Sequence, residues 1–275
     1  MIDKAFYDQH GYLILPQFFA PEEVSFLKGI AQSIWQEPRD PDLVVDIGAG
    51  QYANRRMKLA EAPAECAHVN HKIADLYLTS DELRKHFLGE KLVAVLTACV
   101  GGPPLIINSL NFTQGSTQRA HFDSWYMPPP VEDAMVVASL ALEDYREDNG
   151  PVFYYPGSHK LPKYRFSTGH IRAIEAEMPA CDAYVFPAVE KAGLEKKVLL
   201  CKAGDLFIWH SQLLHGGSPI LTPGATRRSI VVHYWRNGDI EKTDEYPWLR
   251  GLSKPSYAGF YLNRPHQTTG DVKKA

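Results

Sequence analysis

The sequence has few of the features that mark specialised classes of protein. Only four of its 275 residues are cysteine, and no two stand close enough for a zinc-site pair or a compact disulfide framework. No apolar run approaches the roughly 20 residues that cross a bilayer. Charge is nearly balanced, with 29 Lys and Arg against 32 Asp and Glu, so the basic excess of a nucleic-acid-binding protein is missing. We therefore expect a soluble globular protein with no nucleic-acid or membrane partner.

The N-terminus also lacks the basic-then-apolar pattern of a secretory signal peptide. Scattered cysteines are typical of a reducing compartment, so the sequence predicts a cytoplasmic location. We find no internal repeat, low-complexity tract or linker, and hydrophobic residues make up 45% of the chain. A chain of this length buries a substantial core. We expect one domain over residues 1–275, with a loose tail from about residue 265.

Helical patterns dominate the first hundred residues. Pro21, Glu22 and Glu23 place a proline and two acids in a first helical turn, and apolar residues then recur at helical spacing. Residues 79–82 form a capping-box pattern, and helical residues follow it up to a pair of glycines at 101–102. The sequence therefore predicts a helix-rich N-terminal third.

Short β-rich runs separated by turn residues follow Pro104. These runs lie at residues 105–112, 120–125, 135–142, 152–155, 198–201, 206–209 and 229–235. Many short strands joined by turns predict a sandwich or barrel against which the N-terminal helices pack. Residues 160–197 fit neither pattern, and we interpret them as a long excursion near the mouth of a site.

The sharpest local feature is the sequence His121-Phe122-Asp123 within a strand-like run. Residues i and i+2 of a strand point to the same face, so one imidazole and one carboxylate project together. A third ligand would complete the two-histidine, one-carboxylate face that suits Fe(II) and leaves open positions. By itself the triplet is weak, because a histidine beside an aspartate on a surface is the more common case.

The C-terminal half supplies candidates for the rest of such a site. His210 ends a predicted strand and His215 follows shortly after it, so either residue could be the third ligand. Arg227 and Arg228 open the apolar strand 229–235, where they would point to opposite faces. An arginine beside a metal suits a dicarboxylate, because its planar guanidinium pairs bidentately with a carboxylate. We interpret His233, inside that strand, as a core histidine.

Taken in order, four motifs resemble the phytanoyl-CoA dioxygenase family of non-haem Fe(II)- and 2-oxoglutarate-dependent oxygenases. They are His121-x-Asp123, then residues 149–159 with their Asn-Gly-Pro and Pro-Gly-Ser-His turns, then residues 204–216 ending in His215-Gly216, then Arg227. The resemblance runs from about residue 5 to residue 237. It implies a mainly β protein with flanking helices around a double-stranded β-helix, the jelly-roll or cupin-like core.

The resemblance also implies roles for individual residues. His121, Asp123 and His215 would hold the iron and form the catalytic centre, and Arg227 would bind the distal carboxylate of 2-oxoglutarate. Asn111 and Ser139 match positions where relatives contact the co-substrate. Trp125 shares the face of His121 and Asp123 by strand parity, so it would line the substrate pocket together with Tyr126. The family usually has a serine two residues after the distal histidine, whereas this chain has Gly217 followed by Ser218.

The activity implied by the resemblance is hydroxylation of an unactivated C–H bond in a small molecule, with O₂ and 2-oxoglutarate as co-substrates and succinate and CO₂ as products. Because the ligand carboxylate Asp123 is present, halogenation is disfavoured. Two alternatives stay open. One is a jelly-roll isomerase or a dioxygenase independent of 2-oxoglutarate, and the other is a binding module without a metal.

Overall fold

The computed structural model describes residues 2–271, and most of its helices lie in the N-terminal third. The α-helices are α1 Lys4–His10, α2 Pro21–Ser33, α3 Leu76–Thr79, α4 Asp81–Phe87, α5 Glu90–Val100 and α6 Met178–Lys191. Both predicted helix starts are confirmed. Glu23 accepts a hydrogen bond from the Ala20 backbone N–H (2.8 Å) at the start of α2, and the Ser80 hydroxyl accepts one from the Leu83 N–H (3.1 Å) in α4. Gly101 ends α5 at φ 76°, a backbone conformation that favours glycine.

Strands are present in both parts of the chain. They are β1 Tyr12–Leu15, β2 Val44–Ile47, β3 Arg55–Lys58, β4 His71–Ala74, β5 Pro104–Phe112, β6 Met135–Ala141, β7 Val152–Tyr154, β8 Lys197–Val198, β9 Leu206–His210, β10 His215–Gly217, β11 Ser229–Arg236, β12 Ser253–Ser256, β13 Gly259–Leu262 and β14 Gly270–Asp271. Five of the seven predicted runs coincide with strands. The 198–201 run is a strand only at its first residue, and the 120–125 run is not a strand. Strands β1 to β4, β10 and β12 to β14 lie outside the predicted runs.

Two sheets organise these strands. The large sheet has the order β1-β9-β6-β11-β5-β4-β2-β3-β14, and β13 adds to β5 in parallel. The small sheet has the order β10-β7-β8. Because β11 lies between β6 and β5, its residue Val231 stands opposite Ser139 on one side and Leu110 on the other. The centre of the large sheet is thus built from strands distant in sequence.

The two faces of the large sheet bury different cores. The outer face packs against the N-terminal helices, with residues such as Leu140, Ile230 and Val232 fully buried beside Leu27 and Phe87. The inner face packs against the small sheet. There the Tyr154 ring of β7 lies 5.1 Å from the Phe207 ring of β9.

The excursion at residues 160–197 is an ordered part of the structure. It contains α6, whose residues Cys181 and Val185 pack against Phe122, Trp125 and Leu214. The predicted loose tail is partly paired, because Gly270–Asp271 forms hydrogen-bonded strand contacts with β3. The rest of that tail, residues 272–275, lies outside the described residues. No helix within residues 2–271 combines the length and apolar character needed to cross a membrane.

Candidate active site

The segment that carries His121 meets β10 rather than continuing as a regular strand. His121 and His215 form an isolated antiparallel bridge, in which the His121 N–H donates to the His215 carbonyl (2.8 Å) and the His215 N–H donates to the His121 carbonyl (3.1 Å). This pairing brings the two imidazole rings to a centroid separation of 4.4 Å. The chain then turns, because Asp123–Trp125 is a 3₁₀ turn. The prediction of a strand at residues 120–125 is therefore wrong.

The side chains of His121, Asp123 and His215 converge as the metal hypothesis requires. One ligand atom from each lies within 4.8 Å of the other two, and all three residues are buried. The His121 Nε2 atom is 3.7 Å from Asp123 Oδ1, and the His215 Nε2 atom is 3.7 Å from Asp123 Oδ2. Two imidazoles and one carboxylate form the donor set of non-haem Fe(II) sites.

Backbone carbonyls fix the tautomer of both histidines. The Nδ1 atom of His121 lies 2.8 Å from the Arg119 carbonyl oxygen, and that of His215 lies 2.9 Å from the Leu213 carbonyl oxygen. A carbonyl only accepts, so each Nδ1 carries the proton and each Nε2 presents its lone pair to the site. Such a contact orients a histidine for metal binding.

The charges are also those of a ligand set. Burial alone would raise the pKa of the Asp123 carboxyl, but His215, His121 and His233 outweigh it and hold the pKa well below its ordinary value. Burial lowers the pKa of His215 to about 4 despite the opposing effect of Asp123. At neutral pH the carboxylate is therefore charged and the His215 imidazole neutral, which are the forms that bind a metal.

Arg227 lies in the same cavity and is almost fully buried, with 2% of its surface exposed. Its guanidinium carbon is 4.9 Å from the centroid of the Tyr145 ring, and its Nε atom has no hydrogen-bond partner within residues 2–271. Arg228 points away and pairs with Glu143 at 3.0 Å. The predicted division of the two arginines between opposite faces is confirmed.

The structure separates the remaining predicted residues. Ser139 lines the cavity with the three metal candidates and Arg227. Asn111 does not, because strand alternation turns it to the other face of β5, where it lines a second pocket beside Trp35 and His71. Trp125 packs against Phe122 at a ring separation of 5.1 Å. The strand parity used to place Trp125 in the substrate pocket fails because the residue lies in a 3₁₀ turn.

Two other uncertain positions are now defined. The Tyr126 ring lies 5.5 Å from the His121 ring and the Tyr126 hydroxyl accepts from the Gln118 side chain (3.3 Å), so this residue borders the site. His210 is outside it, with its Nε2 atom 3.8 Å from Asp133 Oδ1. Of the two histidines considered for the third ligand position, only His215 joins the cluster.

Gly217 occupies a position where a side chain would not fit. A β-carbon there would lie 2.6 Å from the Ser116 hydroxyl and 2.6 Å from the Thr117 backbone nitrogen. Ser116 itself lines the cavity. The Ser116 hydroxyl therefore lies beside the place that the β-carbon of a serine at 217 would occupy.

The sequence did not reveal several of the polar residues that line the cavity or lie beside it. Trp209 donates from its indole N–H to Asp123 Oδ2 at 2.7 Å, and the His233 Nε2 atom lies 3.8 Å from Asp123 Oδ1. Tyr145 is buried beside Arg227, and its hydroxyl has no partner in the described part of the chain. The interpretation of His233 as an ordinary core histidine is wrong. The available signal was that His233 lies at an even spacing from Arg227, which lies just before the same strand.

Comparison with known proteins agrees with this geometry. The family model described as phytanoyl-CoA dioxygenase matches residues 7–229. The chain belongs to that family. Among curated relatives, ectoine dioxygenase from Stutzerimonas stutzeri (strain A1501) is 20% identical over 271 residues, covering 91% of this chain and 80% of the relative. Human peroxisomal phytanoyl-CoA dioxygenase is 23% identical over 246 residues, covering 84% and 67%.

A solved structure of the enzyme EctD from S. alaskensis, crystallised with 2-oxoglutarate and 5-hydroxyectoine, has a similar fold. The TM-score is 0.64 at 17% identity, and the match covers 94% of this chain and 86% of that chain. The predicted jelly-roll core with flanking helices is therefore confirmed.

Proposed function

We propose that this protein is a non-haem Fe(II)- and 2-oxoglutarate-dependent dioxygenase that hydroxylates an unactivated C–H bond of a small molecule. The observation that carries the proposal is the position of Arg227. It is a buried guanidinium without an ion-pair partner among residues 2–271, and it lines the cavity that also holds His121, Asp123 and His215. An unpaired buried cation is costly, and a bound carboxylate would compensate its charge.

The chain's own residues would supply binding and orientation. His121 Nε2, His215 Nε2 and one oxygen of Asp123 would hold the iron on one side, leaving the other positions for ligands. Arg227 would pair with the distal carboxylate of 2-oxoglutarate, and Ser139 and Ser116 would contribute hydroxyl groups nearby. Bound Fe(II) would activate O₂ together with 2-oxoglutarate, giving succinate, CO₂ and the oxidised substrate.

The remaining walls of the cavity favour a small, partly apolar substrate. The apolar surface comes from Leu110, Phe112, Val152 and Val231. The Tyr126 ring packs beside His121. The names of the relatives also point to small molecules, namely ectoine and the thioester phytanoyl-CoA. We therefore propose a small-molecule substrate and leave its identity to the experiment.

The test is an anaerobic titration of the Fe(II)-loaded protein with 2-oxoglutarate, following the visible charge-transfer band of a chelated keto acid. We expect a band for the wild-type protein. We expect His215→Ala to abolish the band, because a proposed iron ligand is lost. We expect Arg227→Ala to raise the 2-oxoglutarate concentration needed by about 10- to 100-fold, since charge-assisted contacts contribute about 1.5–3 kcal/mol.

His210→Ala is the matched control, because this histidine lies outside the cavity and should leave the band intact. Bound iron without a band would favour the isomerase or the 2-oxoglutarate-independent dioxygenase. Absence of iron binding would favour the binding module. Either result would contradict the proposed function.

A further inference from the structure

The carboxylate of Asp123 has two polar neighbours besides the proposed iron ligands. We propose that Trp209 and His233 are positioning residues that hold this carboxylate from its two oxygens and so set the affinity of the metal site. The inference rests on the proposed function, since it assigns the residues that support its metal centre.

Trp209 makes the stronger of the two contacts. Its side chain is on the inner face of β9 and is 3% exposed, and its indole N–H donates to Asp123 Oδ2 at 2.7 Å. The same ring lies 5.1 Å from the His215 ring. Indole nitrogen only donates, so this contact always favours the charged carboxylate. Trp209 therefore fixes one oxygen of Asp123 and packs against a second proposed ligand.

His233 approaches the other oxygen. It is on the inner face of β11, 2% exposed, and its Nε2 atom lies 3.8 Å from Asp123 Oδ1. This separation is longer than a hydrogen bond, and a shift of about 1 Å by either side chain would form one. His233 is outside the cluster whose ligand atoms all lie within 4.8 Å. It therefore contacts the carboxylate without qualifying as a fourth ligand.

The protonated nitrogen also distinguishes His233 from the proposed ligands. His121 and His215 donate from Nδ1 to backbone carbonyls, which leaves Nε2 bare toward the metal. The Nδ1 atom of His233 is buried and has no such acceptor anywhere in residues 2–271. Its Nε2 atom faces a carboxylate oxygen, so the tautomer with the proton on Nε2 is the favourable one. His233 is thus arranged to donate to Asp123, as Trp209 does.

Such support has a measurable consequence. Groups that hydrogen-bond a metal ligand typically change metal affinity by about 10–100-fold when they are removed. We expect the larger loss at Trp209, where the hydrogen bond is already formed. The loss at His233 should be about 10-fold.

The test is a titration of the metal-free protein with Co(II), followed by the visible absorption of the bound ion, so that the readout does not depend on turnover. Trp209→Phe keeps an aromatic ring and removes the donor. His233→Leu removes the second donor at similar volume, and His233→Gln restores an N–H near the Nε2 position. We expect weaker Co(II) binding for Trp209→Phe and His233→Leu, and a near wild-type affinity for His233→Gln.

Trp235→Phe is the control, because Trp235 is also a buried inner-face tryptophan but donates to the Met127 carbonyl (3.3 Å), away from Asp123. Wild-type affinity in both Trp209→Phe and His233→Leu would overturn the inference, as would an equal loss in Trp235→Phe. If Trp209→Phe does not fold, the His233 pair decides alone. If the wild-type protein binds no metal, the proposed function itself fails, which is a separate result.

Discussion

The two faces of the large sheet come from the same strands but differ in their chemistry. Along β11, Ile230 and Val232 point outward into an apolar core, whereas His233, two places after Val231, points inward to the candidate metal site. Inner-face polar groups include buried atoms without partners in the described chain, such as the Nδ1 atom of His233 and the Nε atom of Arg227. Unpartnered buried polar atoms lower stability. Along β11 the inner face therefore gives up stability for a binding site, whereas the outer face is apolar; on β5 the outer face has its own unpartnered polar side chain, Asn111.

Leu140 and Ser139, neighbours on β6, provide the sharpest way to break this comparison. Leu140 is fully buried in the outer core and Ser139 lines the cavity. We expect Leu140→Ala to lower the free energy of unfolding by about 2–5 kcal/mol, because it leaves a cavity. It should leave the affinity for 2-oxoglutarate unchanged. Urea unfolding of the metal-free protein and ligand titration measure the two effects.

Ser139→Ala is the matched inner-face variant and should reverse the pattern, with little change in unfolding free energy and weaker 2-oxoglutarate binding. If both variants lost stability and affinity together, the division of labour between the faces would be contradicted.

The adjacent arginines provide a second and smaller contrast. Arg227→Met replaces a buried unpaired cation by an apolar side chain, so we expect the metal-free protein to be as stable as the wild type or more stable. Arg228→Met removes the partly exposed pair with Glu143, and we expect a loss of about 1 kcal/mol. Thermal unfolding of the metal-free proteins measures both changes.

A ligand makes this test more specific. With metal present, 2-oxoglutarate should raise the melting temperature of the wild type and of Arg228→Met, because it binds only the folded state. It should not do so for Arg227→Met. A destabilised metal-free Arg227→Met protein would mean that Arg227 has a structural partner instead.

The sequence predicted those residues of the candidate site whose side chains belong to a recognisable motif. His121, Asp123, His215 and Arg227 come together as expected, although the local structure that delivers them is a bridge and a 3₁₀ turn rather than a strand. Residue spacing alone does not distinguish these two backbones. The resemblance named the side chains that the structure brings together, without identifying the turn that positions them.

Other features of the fold depend on pairing between segments distant in sequence, so local sequence patterns could not predict them. Strands β1 to β4 are four residues each, too short for alternation to be evident, and they are strands because they pair with β9, β5 and one another. Asn111 was misplaced for a related reason. Which face of β5 meets the cavity depends on the register of β5 against β11, and that register shifts between His233 and Tyr234. His233 was given no role in the site because the residues around it in its strand are apolar, which suggested that the whole strand lies in the core.

The last expected effect concerns His210, a mostly buried histidine that the structure leaves outside the site. Its Nδ1 atom accepts from the Gln212 N–H (3.0 Å), and burial lowers its pKa to about 4, against an opposing effect of Asp133. The unfolded chain binds this proton near pH 6.5 and the folded protein only near pH 4. The stabilisation by the neutral imidazole is thus complete above about pH 6.5, and the stability of the fold decreases as the pH drops toward 4.

His210→Asn retains an acceptor for the Gln212 N–H and removes the titrating group. Urea unfolding of the metal-free proteins at pH 7.5 and pH 5.0 should show a smaller acid loss in the variant, by at most about 1.4 kcal/mol per pH unit. Parallel pH profiles would mean that the folded protein accommodates a charged His210.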